Sequence, residues 1–249
     1  MALKEEWEAQ GNWLFRWRSY LPFVLLLLVV QACLDFDYPQ HLHSLQEAWM
    51  LCCLAVSLAG MAIRAHVVGH TPEGTSGRNT RQQIAECLNS RGWYSVVRHP
   101  LYLGNFLIWL GIALFFHHLW LTIAFCAVFW LYYERIMFAE EEFLRRKFGD
   151  AFVQWATGTP AFVPKKRQWR GPQTPLDWRK VIRREYTTAF GVLFAFGALE
   201  FVEHLIVERQ LHIEPHWRFI LPAGAMGYAT LRWVKHRTTY LVSARQPST

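Results

Sequence analysis

The chain of 249 residues contains few charged side chains and few cysteines. Asp, Glu, Lys and Arg make up 18% of it, whereas 53% of the residues are apolar. This composition excludes a disordered tail, and five cysteines without a C-x-x-C pair imply no disulfide framework. The glycines at 69, 74 and 77 do not have the G-x-G-x-x-G spacing of a dinucleotide fingerprint, and no strand precedes them.

Most of the apolar residues fall into six long segments. They cover residues 21–34, 48–63, 101–116, 119–133, 187–207 and 219–234. Most are shorter than the roughly 20 residues that cross a bilayer core of about 30 Å, but aromatic flanks such as Trp13 and Trp49 complete the crossings at the interfaces. We therefore predict an all-α fold, a polytopic membrane bundle of about six transmembrane helices that includes a helical hairpin. The four cysteines inside these segments, Cys33, Cys52, Cys53 and Cys126, are interpreted as small apolar residues.

The distribution of basic residues gives this bundle an orientation. If the N-terminus is cytoplasmic, 24 of the 26 lysines and arginines lie on the cytoplasmic side, and only Arg209 and Arg218 lie outside. The positive-inside rule thus predicts a multi-pass integral membrane protein with both termini in the cytoplasm. Topology and anionic lipid account for the net charge of +7, so no nucleic acid partner is expected. A bacterial inner membrane and an endoplasmic reticulum membrane fit equally well.

The polar connection between the second and third segments ends in a distinctive motif. Residues 66–99 form a long loop in which 82–88 favour a short helix, and residues 98–104 read RHPLYLG. Pro100 suits the first turn of a helix, with His99 at its cap and Tyr102 on the same face. Such a helix start binds carboxylates or phosphates. The alternative is that Arg98 and His99 only anchor the helix at the interface.

A second unusual feature follows the fourth segment, where Glu140, Glu141 and Glu142 are consecutive. Like charges packed together require a cation, such as a sulfonium, an ammonium or an arginine, unless they lie on a solvated helix surface. Another acidic group, at Glu200, Glu203 and His204, lies near the outer end of the fifth segment. Snorkelling or hydrogen bonding between helices explains it as well as function does, and we predict no metal site there.

Together the two stretches resemble the isoprenylcysteine carboxyl methyltransferase family and its phospholipid methyltransferase relatives. Residues 92–104 read GWYSVVRHPLYLG and residues 140–155 read EEEFLRRKFGDAFVQW, and the resemblance extends over about 79–164. It implies S-adenosyl-L-methionine as the cofactor, bound on the cytoplasmic side and covered by the segment after the fourth span. The cofactor-binding residues it implies are Leu88, Tyr94, Arg98, His99, Pro100, Leu101, Tyr102, Glu140 and Glu141.

Two residues are candidates for catalytic roles. The prenylcysteine enzymes have an arginine four residues before the acidic pair, but here Ile136 occupies that position and Arg135 precedes it. Because one residue turns a helical side chain by about 100°, the substrate-anchoring role of Arg135 is an open question. His99 is the nearby base that an amine acceptor would need.

The resemblance divides the chain into an N-terminal two-span region (1–78), a methyltransferase core (79–168) and a C-terminal two-span extension (169–249). The function it implies is methyl transfer to a lipid or lipid-anchored substrate in the bilayer, with a carboxylate or phosphate slightly favoured over an amine. The alternatives are a membrane reductase that uses NADPH, related to sterol and steroid reductases, and a non-enzymatic transporter or assembly protein. The sequence leaves the oligomeric state open.

Overall fold

The computed structural model describes residues 2–18, 20–34, 36, 42–72, 83–165, 168–209, 211 and 213–241. Within these residues the fold is all-helical, as predicted. The α-helices are α1 (Leu3–Trp17), α2 (Leu21–Leu34), α3 (His43–His70), α4 (Pro100–Leu114), α5 (Leu119–Phe148), α6 (Asp150–Gly158), α7 (Trp178–Glu203) and α8 (Trp217–Arg237). A π-helical turn, His204–Glu208, continues α7.

The six apolar segments all form helices, but the expected number of membrane spans is not confirmed. Three stretches are long and apolar enough to cross a bilayer, namely Ser44–His70, Leu119–Phe148 and Trp178–Val207. Helix α4 is apolar but has only 15 residues, so it falls short of the crossing length. What the structure supports is therefore a helical protein with three candidate spans among the described residues.

The long polar connection differs from the prediction at residues 82–88. Residue 82 lies outside the described residues, and 83–88 contain bends but no helix. Residues 83–85 and 87–89 instead line a cavity one after another, whereas a helix would direct only part of its residues to one side. A short 3₁₀ turn, Trp93–Ser95, precedes α4. An isolated bridge joins Gly92 to Arg170, and the described residues form no strand.

Helices α3 and α4 cross at very short range. A Cβ atom on Gly104 would lie 2.9 Å from the carbonyl oxygen of Gly60 and 2.5 Å from Cγ of Arg64. The Ser57 hydroxyl on α3 donates to the backbone oxygen of Ile108, 2.8 Å away, further along the same contact. The glycine that ends the RHPLYLG motif therefore lets α3 approach α4 and brings the stem of Arg64 beside the start of α4.

A buried polar network marks one end of the bundle. The amide Nε2 of Gln46 on α3 donates to Glu203 on α7 at 2.8 Å, and the Gln46 Oε1 atom lies 2.6 Å from a ring nitrogen of His117. Trp217 on α8 donates to Glu200. Glu200 and Glu203 thus hydrogen-bond between helices, which is one of the explanations left open for this acidic group.

The opposite end of α3 carries Arg64, which is 18 residues from Gln46 and so about 27 Å along the helix axis. Since Gln46 contacts α7 near its end and Arg64 contacts α7 near its start, α3 and α7 are antiparallel. Helices α3, α4, α5 and α7 thus place two polar regions at opposite ends of an apolar layer. The predicted site residues belong to the end that carries Arg64.

Candidate active site

A cavity of about 340 Å³ opens at the start of α4. Its wall combines the first turns of α4, the last turns of α5, the segment 83–89 and Trp155 of α6. Eight of the nine residues predicted to bind a cofactor line it: Leu88, Tyr94, Arg98, His99, Pro100, Leu101, Tyr102 and Glu140. The two motifs, which are about 40 residues apart in sequence, therefore meet around one space.

The start of α4 has the predicted form, with His99 at the cap and Pro100 at the first helical position. The His99 imidazole is buried between two carboxylates, with Nε2 2.9 Å from Glu141 and Nδ1 3.6 Å from Glu140. Burial by itself would lower the pKa of His99. The hydrogen bonds and charges of Glu140 and Glu141 outweigh this effect, so the pKa of His99 is raised.

The three consecutive glutamates have different partners. Glu140 accepts a hydrogen bond of 2.6 Å from the Tyr102 hydroxyl and lines the cavity. Glu141 pairs with Arg98 at 2.8 Å as well as with His99, and Glu142 pairs with Lys4 at 2.8 Å. The protein thus supplies direct cationic partners to Glu141 and Glu142, whereas Glu140 lies 3.6 Å from the His99 ring, accepts from Tyr102 and lines the cavity.

Arg98 links the start of α4 to α5 and to the end of α6. One guanidinium nitrogen donates to the backbone oxygens of Ala156 and Thr159, at 2.9 and 2.7 Å, while Nε reaches Glu141. The backbone N–H groups of residues 98 and 99 donate to Pro160 and Ala161, at 2.8 and 3.2 Å. The segment after α6 therefore lies against the start of α4, where the resemblance expects a cover.

Aromatic side chains form another part of the wall. The indole Nε1 of Trp155 donates to the backbone oxygen of Tyr94 at 2.9 Å, so both rings are fixed beside the cavity. Burial, reinforced by the charge of Glu140, raises the pKa of Tyr94, and its hydroxyl stays protonated. Leu88, Tyr94, Trp155 and Glu140 all line this cavity, so its wall combines apolar and aromatic side chains with a carboxylate.

Arg135 does not join this group, contrary to the substrate-anchoring role considered for it. Its guanidinium lies 3.6 Å from the ring centroid of Trp7 on α1, and it does not line the cavity. The neighbouring Ile136 is fully buried in the apolar core. The one-residue shift turns Arg135 towards α1, and its guanidinium lies against Trp7 and not in the cavity wall.

Four further charged residues, which no motif indicated, also line the cavity. They are Arg18, Arg64, Arg184 and Glu185. Arg64 is bound by Glu185 through two contacts, of 2.9 Å at Nε and 2.8 Å at Nη2, and donates to the side-chain oxygen of Asn105 at 2.5 Å. These residues belong to helices outside the resemblance. The one signal available in the sequence was a charged residue next to the cytoplasmic end of an apolar segment.

A second cavity of about 300 Å³ adjoins the first. Four residues line both cavities: Arg18, Arg64, Asn105 and Tyr133. Beyond them the second cavity runs between α4 and α7, where its wall is mostly apolar and includes Ile108, Ile112, Val192 and Ala195. The polar cavity therefore continues into an apolar groove.

Comparison with known proteins finds relatives of the part of the chain that carries both motifs. Residues 47–151 match the phospholipid methyltransferase family model. The chain is 30% identical over 160 residues to the cobalt-zinc-cadmium resistance protein CzcN of Cupriavidus metallidurans, covering 64% of this chain and 66% of the relative. It is 28% identical over 132 residues to the nickel-cobalt-cadmium resistance protein NccN of Alcaligenes xylosoxydans xylosoxydans, covering 52% and 59%.

A third relative is a protein-S-isoprenylcysteine O-methyltransferase B of Arabidopsis thaliana, which is 34% identical over 112 residues, covering 42% of this chain and 56% of the relative. The chain thus spans about two thirds or less of the length of these relatives. No solved structure matches it significantly. The matched residues include the RHPLYLG motif and the acidic cluster, so the part of the chain that carries both motifs is similar to phospholipid and isoprenylcysteine methyltransferases.

Proposed function

We propose that this protein transfers a methyl group from S-adenosyl-L-methionine to a carboxylate or phosphate oxygen of a lipid or lipid-anchored acceptor. The observation that carries the proposal is the Glu140 carboxylate, which is fixed by Tyr102 and faces a cavity walled by the family's motif. The family match supplies the reaction class. The lipid acceptor follows from the apolar groove that adjoins the cavity.

The residues of the cavity suit the methyl donor. Its volume of about 340 Å³ lies in the range of small-molecule sites. Leu88, Tyr94 and Trp155 offer an apolar surface for an adenine ring, and Glu140 can accept hydrogen bonds from ribose hydroxyls or from the ammonium group. The first turn of α4 is suited to the methionyl carboxylate because a helix N-terminus favours an anion.

The donor, when bound, supplies a methyl group on a sulfonium: the carbon–oxygen bond forms as the carbon–sulfur bond breaks, and the two opposite charges cancel without release of a proton. The chain's own residues then align the acceptor oxygen and exclude water. Trp155 of α6 belongs to the wall of the cavity, and the hydrogen bonds of Arg98 to Ala156 and Thr159 hold the end of α6 beside the start of α4.

The environment of His99 supports an anionic acceptor over an amine. An amine must lose a proton before it attacks, and His99 was the candidate base. Both of its ring nitrogens lie beside a carboxylate, Nε2 beside Glu141 and Nδ1 beside Glu140, so neither is directed at an acceptor in the cavity. We assign His99 to fixing these two carboxylates, because an anionic oxygen needs no base.

No observation favours the alternative functions. The described residues that line the cavity contain no dinucleotide fingerprint. Such a fingerprint would favour the reductase, although a reductase that binds NADPH need not have one. The names of the two heavy-metal relatives state a resistance and no reaction, so they do not select an acceptor. Preferential binding of NADPH over the methyl donor would support the reductase, and binding of neither would support the transporter or assembly protein.

The first test is donor binding by the purified protein in a neutral detergent, measured by equilibrium dialysis with labelled S-adenosyl-L-methionine. We expect Glu140→Gln to weaken binding roughly ten- to a hundredfold, as loss of a charge-assisted hydrogen bond does. Glu134→Gln is the matched control, because Glu134 is on the same helix and does not line the cavity. Equal affinity in both variants contradicts the cofactor assignment.

The second test identifies the acceptor class. Membranes that contain the protein are incubated with the methyl-labelled donor and separated into lipid and protein fractions. Base-labile label in either fraction indicates a carboxyl methyl ester on a lipid or on a lipid-anchored protein, whereas label on a methylated phosphate is stable in base and is identified by its phosphorus-bound methoxy group. Base-stable label on an amine would contradict O-methylation while leaving donor binding intact.

A further inference from the structure

The four residues that line both cavities form a junction between the polar and apolar chambers. We propose that Arg64 is the residue that binds the acceptor's anionic group at this junction, and that Glu185 on α7 sets its affinity as a counter-charge. The proposal rests on the proposed function, and it assigns the acceptor site to residues outside both family motifs.

The charge of the junction favours an anion. Two of its four members, Arg18 and Arg64, are cationic, and the other two, Asn105 and Tyr133, are neutral. Glu185 lines the first cavity but not the second, so on the groove side the junction presents two arginines and no lining carboxylate. Charge complementarity therefore predicts a lipid with a carboxylate or phosphate, whose apolar part enters the groove.

The position of Arg64 suits transfer to a bound acceptor. On α4, Tyr102 holds Glu140 in the first cavity, and Asn105, one turn later, accepts from Arg64. Trp109 and Ile112 continue the same face into the groove. An anionic group bound to Arg64 would thus lie within one turn of α4 from Tyr102 and Glu140, and the apolar chain of the acceptor would run along α4.

The geometry of Arg64 is fixed by residues from two helices. Nε and Nη2 bind both carboxylate oxygens of Glu185, and Nη1 binds Asn105. The Arg64 side chain is 14% exposed, so it is held in place and still accessible from the cavities. A bidentate pair of this kind offsets most of the positive charge, so the carboxylate of Glu185 competes with any anion that approaches Arg64.

Helix α7 also supplies one side of the groove. Thr188, Gly191, Val192 and Ala195 line it, and all lie beyond the residues that match the family model. A Cβ atom added to Gly191 would meet nothing within 4 Å. The C-terminal part of the chain therefore forms the acceptor chamber together with α4, and it can select the acceptor independently of the donor site.

The test uses the full-length protein in neutral detergent without methyl donor, and it measures binding of tritiated palmitate by scintillation proximity. Competition with unlabelled palmitate, with lysophosphatidic acid and with palmitic acid methyl ester separates the sources of recognition. We expect the two anions to compete, the methyl ester to compete poorly, and the stronger of the two anions to identify a carboxylate or a phosphate acceptor.

Variants of Arg64 and Glu185 are expected to change the affinity for palmitate in opposite directions. Arg64→Gln should weaken palmitate binding roughly ten- to a hundredfold, the effect of one charge-assisted hydrogen bond or more. Glu185→Gln should tighten it, because the competing carboxylate is gone. The exposed Arg232→Gln on α8 is the matched control and should change nothing. If Arg64 and Glu185 only clamp α3 to α7, both single variants will shift palmitate binding in the same direction, and this result overturns the proposal.

Two further variants protect the test against misfolding. The double variant Arg64→Gln with Glu185→Gln leaves no unpaired buried charge and should bind palmitate and its methyl ester equally. Gly191→Leu should block palmitate and leave donor binding unchanged, whereas Gly227→Leu on the exposed side of α8 should affect neither. If none of these variants changes palmitate binding, the inference is contradicted. If the unaltered protein binds palmitate but does not bind the methyl donor, only the proposed function is contradicted.

Discussion

At the scale of single residues, the three glutamates show how one cluster can serve structure and binding together. Glu141 and Glu142 are neutralised by Arg98 and Lys4, which tie α5 to the start of α4 and to α1. Glu140 instead accepts from a neutral tyrosine hydroxyl and keeps its charge towards the cavity. A carboxylate with its charge directed into a walled space is suited to a cationic or hydroxyl-bearing ligand.

The raised pKa of His99 makes a stability contribution that depends on pH. A group with a raised folded-state pKa stabilises the fold below its unfolded value, about 6.5 for histidine, and loses this contribution as the pH rises through the folded value. We therefore expect His99→Gln to lower the thermal unfolding temperature more at about pH 6 than at about pH 9. The measurement is thermal unfolding in detergent at a fixed scan rate. The exposed His236→Gln should show the same difference at both pH values, and a gap for His99 that widens at high pH would refute the expectation.

Arg135 offers a second test at this scale, because its assignment changed between sequence and structure. Its guanidinium stacks on Trp7, and a cation–π contact of this kind contributes about 1 kcal/mol. Arg135→Gln should lower stability by this amount and leave the affinity for the methyl donor and for palmitate unchanged. A double-mutant cycle with Trp7→Leu should show that the two effects are not additive. Loss of palmitate binding in Arg135→Gln would restore the substrate role that the structure does not support.

At the scale of helices, the crossing of α3 and α4 couples packing to the site. Gly104 allows the approach, and the same approach places Arg64 within reach of Asn105. We expect Gly104→Ala to destabilise the protein by about 1–3 kcal/mol through overpacking, and to weaken palmitate binding because the Arg64 stem must move. Gly227→Ala, where a Cβ atom meets nothing within 4 Å, should instead stabilise α8 by about 1 kcal/mol. Thermal unfolding and palmitate binding of both variants are the measurements, and equal stability of the two would contradict the packing argument.

Helix scale is also where prediction from sequence succeeded and failed. The six apolar segments and the start of α4 at Pro100 are local patterns, and each forms the predicted helix. Arg64 and Glu185 are 121 residues apart in the chain, and their contact depends on how α3 packs against α7, which no local pattern encodes. Arg135 was an intermediate case, because a shift of one residue within a helix decides which neighbour a side chain meets.

At the scale of the whole molecule, the two polar regions are separated by about 27 Å along α3, close to the thickness of a bilayer core. The region with Arg64 and the first cavity belongs to the side that the basic residues predict to be cytoplasmic. The region with Gln46, Glu203 and His117 belongs to the other side. A methyl donor from the cytosol and an acceptor from the bilayer would thus reach the junction from different directions.

This arrangement predicts which sites a membrane-impermeant maleimide can reach. Cys87 is exposed and lies at the first cavity, and Leu211, in the connection between α7 and α8, is 80% exposed. With the other cysteines replaced by alanine, Cys87 should react in inside-out vesicles and not in intact cells or right-side-out vesicles, whereas Leu211→Cys in a background without Cys87 should show the opposite.

Reaction at Cys87 should be slow, because burial and the charge of Glu86 raise the pKa of its thiol. Saturating methyl donor should slow it further, because the thiol lies in the cavity wall. Labelling of both positions from the same side would contradict the antiparallel crossing of α3 and α7 through the membrane, while labelling of Cys87 that ignores the donor would contradict the cofactor site alone.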